Sequence, residues 1–196
     1  MTFAEILAEV LTITARPDRE TEIASAINAV LSRCVLKTNF ARDLVETTIN
    51  IDPTLYGSTI DFSSLVTRFR KFKYVKVTGV RGYLHPIDSD KVFTPGGILQ
   101  NNRYYVAGLN LTYMISTLSP TLEIGYYQYA AKQNELTVPT HWMFDLAPWA
   151  IIDLASARIF RSIGDDTSAA QYEKSGIEFY DIAKRDFADS IQAEAR

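Results

Sequence analysis

At 196 residues, with 47% apolar and 22% charged side chains, the chain can bury one real core, or one core carrying a sizeable insertion, and its composition is that of an ordinary folded protein. A net charge of -3 and a pI near 5.4 exclude tight nucleic-acid binding through a broadly basic surface. The single cysteine, Cys34, excludes an intrachain disulfide. No apolar run reaches the roughly 18 residues that would span a bilayer, so no membrane contact is expected.

Residues 2–15 are predicted helical: Thr2 and Glu5 form a capping-box pair, and Phe3, Ile6, Leu7, Val10 and Leu11 share a face. Glu5, Glu9 and the lack of a basic start argue against a signal peptide. Arg16-Pro17-Asp18 breaks this helix. A second is expected from Asp18, as N-cap, to about Lys37, with one stripe through Ile23, Ile27, Val30, Leu31 and Cys34. Cys34 on that stripe reads as a buried, inert thiol.

The period then changes to two. Val45, Thr47, Ile49 and Ile51 alternate with Glu46, Thr48, Asn50 and Asp52, which predicts a half-buried strand. Further strands are expected over 59–62, over 68–80, across Tyr105, Ala107, Leu109, Leu111, Tyr113 and Ile115, and over 122–129. Pro53, Gly57 and Pro95-Gly96-Gly97 mark turns. The aromatic surplus of 11 Tyr and 10 Phe fits a Tyr-rich β core and equally fits surfaces that pack on other chains.

The helical period returns from about Thr137. The segment 142–163 is apolar on most sides, so something must cover it nearly all round. Pro148 is expected to start its second part or to kink it, and Gly164 to end it. Asp165 or Asp166 caps a last helix of about 25 residues, with a stripe through Tyr172, Ile177, Phe179, Tyr180, Ala183, Phe187 and Ile191. The expected fold is α+β: a bundle of N- and C-terminal helices (1–42 and 131–196) with an inserted, sandwich-like antiparallel β-domain (43–130).

Motifs for chemistry are sparse. His85, before Pro86, reads as an exposed loop residue. His141 and Asp145, four apart, offer two ligands where a metal site usually takes three or four, and read better as a helix start. Asp88 and Asp90 begin a calcium-loop pattern without its Gly and Glu. No nucleophile elbow, P-loop or dinucleotide fingerprint is present. No catalytic, cofactor or metal residue is assigned, and no cofactor or enzymatic activity is expected.

The charge pattern says more. Arg68, Arg70, Lys71, Lys73, Lys76 and Arg81 fall within 14 residues that contain no acid. They read first as lysines guarding an edge strand. The alternative is a weak contact with DNA phosphates or with an acidic partner. The last 32 residues carry eight acids and four bases, so complementarity between this basic segment and an acidic neighbour is expected to help fix subunit register.

The order of elements resembles the head–tail connector, or adaptor, proteins of tailed bacteriophages. The likeness runs through the Arg16-Pro17-Asp18 break, the aromatic strand Ile124-Gly125-Tyr126-Tyr127, and above all the Trp-bearing helix 142–163 followed by a long amphipathic one from Asp166 to Glu194. It covers nearly the whole chain by pattern and order. It implies a homo-oligomeric ring, typically a dodecamer, docked on the portal protein in the virion after assembly in the host cytoplasm. Such a ring joins the portal to a tail or nozzle protein, extends the DNA channel with only passive DNA contact, and performs no catalysis. A tail-completion ring or another virion tail component is the alternative, followed by an enzyme or binding module of unfamiliar type. Trp142, Trp149, Tyr172, Phe179 and Asp189 are the expected subunit or portal contacts; residues after Asp189 are the expected portal-reaching segment.

Overall fold

Helices occupy both ends of the sequence and antiparallel sheet lies between them, so the chain is α+β. The structure is a computed structural model and describes residues 1–64, 66–88, 101–137 and 139–188. Asp90, Asp189, Ile191 and the expected turn at Pro95-Gly96-Gly97 lie outside the described residues. The chain divides into two units, Met1–Asp43 with Tyr129–Arg196, and Leu44–Gln128.

In the first unit, α1 (Phe3–Thr14) starts on the expected capping box: Thr2 Oγ1 accepts the Glu5 N–H at 3.2 Å, and the Glu5 carboxylate accepts the Thr2 N–H at 2.7 Å. The expectation that Asp18 caps the second helix is not met. Arg16 grips both Asp18 carboxylate oxygens, at 2.8 and 2.7 Å, and holds that carboxyl down to about pKa 2. A 3-10 turn over Pro17–Arg19 intervenes, and α2 runs Glu20–Lys37. All five stripe residues of α2 are buried.

After the β segment the chain returns along α2. Asn28 holds it there: its Oδ1 accepts the Gln133 N–H at 2.7 Å and its Nδ2 donates to the Gln133 carbonyl at 3.0 Å. Three helices follow: α3 (Trp142–Leu146), α4 (Pro148–Ser162) and α5 (Asp166–Phe187). Pro148 lies in the first turn of α4, where its missing N–H is harmless. Gly164, at φ 81°, closes α4 with a Schellman pair: its own N–H bonds the Arg161 carbonyl and the Asp165 N–H bonds that of Phe160. Asp165 then caps α5 by accepting the Ser168 N–H at 3.0 Å.

The helix that is apolar on most sides is covered by its own chain. α1, α2 and α5 all pack on α4, and Ile151, Ile152, Ala155 and Ile159 disappear into that core with Ile6, Val10, Ile27 and Leu31. Gly176 brings α5 in close, since a Cβ there would stand 2.7 Å from Leu154 Cγ and 2.9 Å from its backbone nitrogen. The α5 stripe is only partly buried: Tyr180 and Ala183 face the core, whereas Ile177 and Phe179 are exposed.

The second unit holds two sheets. β1 (Leu44–Asn50), β7 (Thr121–Gln128) and β3 (Phe69–Val77) form one, in the order β1-β7-β3. β2 (Gly57–Asp61), β6 (Asn110–Met114), β5 (Arg103–Ala107) and β4 (His85–Pro86) form the other, in the order β2-β6-β5-β4. Among the described residues every pairing is antiparallel except the short parallel one of β4 with β5. Ile49, Val75, Leu122 and Ile124 of the first sheet share one core with Tyr104, Leu111 and Tyr113 of the second, a sandwich arrangement.

The alternation over 105–115 is not a single strand. β5 and β6 are a hairpin turning at Gly108-Leu109, with Val106 opposite Leu111 and Tyr104 opposite Tyr113. A two-residue turn reverses the parity, so the inward residues are even-numbered on β5 and odd-numbered on β6. Tyr104, not Tyr105, is therefore the buried one. His85, expected in a loop, is exposed but lies in β4.

Candidate assembly and contact surfaces

The six basic residues read from sequence do not form one uniform patch. β3 is an edge strand of its sheet among the described residues, and its register against β7 steps between Phe69 and Lys71 and again between Phe72 and Tyr74. These two irregularities let both Phe69 and Phe72 turn to the core, three residues apart. Arg68, at φ 50°, donates to Gln128 Oε1 at 3.0 Å. The Arg70 guanidinium and the Lys71 ammonium lie 5.4 and 5.7 Å from the centre of the Tyr127 ring. Burial, then the nearby Arg70 charge, lowers the Lys71 pKa. Lys76 is paired with Glu123 at 2.6 Å, a bond that raises its pKa. Lys73 and Arg81 are exposed. An open cleft of about 640 Å³ runs past Arg70, Lys71, Phe72 and Tyr105.

Of the five expected interface residues, two lie within the fold. Trp142 Nε1 donates to Asp43 Oδ1 at 2.7 Å, and its ring meets Phe40 at 4.9 Å and Phe187 at 5.5 Å. Tyr172 stacks on Phe160, with ring centres 5.4 Å apart and planes at 18°. Trp149 and Phe179 are presented to solvent, at 45% and 40% exposure. Asp189 is outside the described residues.

His141 and Asp145 are not partners. His141 Nδ1 accepts the Met143 N–H at 3.3 Å, capping α3, which leaves the proton on Nε2, 3.2 Å from Asp43 Oδ1. Asp145 instead takes the Met1 amino group at 2.8 Å. Among the described residues no group of three or more His, Cys, Asp and Glu is placed to hold a metal ion.

A groove of about 310 Å³ opens between α2, α4 and α5. Ala29, Val30, Cys34, Leu154, Ala157 and Tyr180 line its floor; Arg33, Lys37, Arg158, Arg161, Glu173 and Ile177 form its rim. Burial pushes the Cys34 thiol up to about 12, which removes thiolate chemistry from the floor. Tyr180 is fixed there by its hydroxyl, 2.6 Å from Thr38 Oγ1 and donating to the Cys34 carbonyl at 3.2 Å. Glu173, the one acid at the rim among the described residues, is held by Arg161 at 2.7 Å. Arg33, Lys37 and Arg158 have no ion-pair partner among the described residues; Arg33 and Lys37 still act on Glu173 at longer range, and four cations against one acid leave the rim net positive. No sequence pattern marks this groove, because its residues come from three separated helices.

Among the described residues no helix is long and apolar enough to cross a membrane. No family model matches the sequence, and no curated protein matches it.

Proposed function

We propose that this chain is a non-enzymatic structural subunit that assembles with copies of itself, and that its ring is a head–tail adaptor joining the portal of a tailed phage to a tail or nozzle protein. One observation carries the self-assembly. The helical unit leaves Trp149, Ile177, Phe179 and Ile182 between 40% and 46% exposed, although it has a well-filled core of its own. Large apolar side chains at that exposure, on a unit that also carries a groove with a basic rim, support a surface finished by another protein. The adaptor assignment adds the order of elements along the chain, from the Arg16-Pro17-Asp18 break to the Trp-bearing and amphipathic helices.

Sedimentation of the purified chain, alone and mixed with portal rings, tests both statements. The expected result is a discrete ring-sized species, formed alone or on the portal, and one added ring of density below the portal in electron micrographs. A chain that remains monomeric under both conditions and is missing from purified virions would overturn the proposal.

A further inference from the structure

We infer that the basic groove between α2, α4 and α5 is one half of the subunit–subunit contact, and that the other half is the Phe179–Ile182 face of α5 on a second copy. This rests on the self-assembly proposed above and names the surfaces that perform it. At 3.6 residues per turn, Phe179 and Ile182 lie about 140–160° around α5 from Ile177, which belongs to the groove rim. The same helix therefore presents a groove edge on one side and an apolar knob on the other.

The two surfaces match in character. The groove has an apolar floor and the three positive charges of Arg33, Lys37 and Arg158. The knob has Phe179 and Ile182, 40% and 46% exposed, with Glu178 one turn before Ile182 and Asp186 one turn after it. Asp186 is shared with Arg185 at 3.0 Å, which makes Glu178 the principal acid offered to the groove. Apolar tip against apolar floor supplies burial, and acid against basic rim fixes the register. Because knob and groove are different surfaces, the contact is heterologous. Repeating it adds subunits in one direction, and a ring forms where the rotation between neighbours closes.

The test uses two variants of the full chain with changes at exposed positions only. Arg33→Glu with Arg158→Glu disables the groove and keeps the knob; Phe179→Ser with Ile182→Ser removes the apolar knob, keeps the groove, and leaves Glu178 to repel an acidified groove. Circular dichroism melts establish that both remain folded. Under conditions where the wild-type chain assembles, alone or on a portal ring, each variant is expected to associate at least tenfold more weakly. Mixed in solution, the two are expected to form a one-to-one dimer and nothing larger, since only one competent knob meets one competent groove. If the wild-type chain assembles and either variant assembles equally well, or if two monomeric variants fail to pair, the inference is overturned while self-assembly stands. A wild-type chain that never associates removes the self-assembly reading and this inference with it.

Discussion

Asp153 is the side chain whose burial has the clearest energetic consequence. It sits on the core helix α4 and accepts the Ser175 hydroxyl at 2.6 Å. Burial raises its pKa, and the Ser175 bond only partly opposes that shift. In the unfolded chain this carboxyl ionises at lower pH than in the folded one. Its contribution to stability is therefore lost as pH rises from the ordinary carboxylate range through its raised folded value, and is level beyond that. Asp153→Asn keeps a partner for Ser175 and cannot ionise. It should melt higher than the wild type at pH 7, with the difference shrinking towards pH 3, as read by paired thermal melts. Cys34 makes a second prediction at this scale. With its thiol pushed up to about 12 and its side chain buried, a thiolate-directed disulfide reagent should leave it unmodified in the native protein and react fully in denaturant.

Among the elements, the contact of α4 with α5 depends on one missing side chain. Gly176→Ala would place a Cβ 2.7 Å from Leu154 Cγ and 2.9 Å from its nitrogen, and a backbone atom cannot swing away. The substitution should cost about 1–3 kcal/mol in denaturant unfolding, although Ala is the better helix former. Helix starts and stops were largely legible in the sequence, because a cap is settled by residues within one turn. Thr2 with Glu5, Pro148, Gly164 and Asp165 all serve at the ends where their chemistry suits them. Asp18 failed because Arg16, two residues away, was the stronger partner for its carboxylate. Strand detail was less legible. The β5–β6 turn reverses the alternation with no proline to mark it, and the irregularities in β3 leave no trace in composition.

For the molecule as a whole, the α+β order could be read from the switch between periods of 3.6 and two, whereas the groove could not. Arg33 and Lys37 are more than a hundred residues from Arg158, and only tertiary packing sets them around one opening. The segment 142–163 shows the same limit: an all-round apolar helix asks to be covered, but its sequence does not say whether by its own chain or by another. The β unit makes a prediction of its own. Leu44 pairs with Tyr127 across β1 and β7, so its two ends are neighbours, and it has a core separate from the helical one. The excised fragment 44–128 should show a cooperative melt by circular dichroism; a fragment without one would mean that the unit borrows its stability. Adjacent ends also tie the two halves thermodynamically. While folded, the β unit acts as a staple a residue or two wide between Asp43 and Tyr129. Melted, it becomes a slack tether of about 85 residues whose ends the helices must hold together, an entropic penalty on the order of 3 kcal/mol. Loosening the sheets would thereby weaken the bundle without breaking any contact inside it.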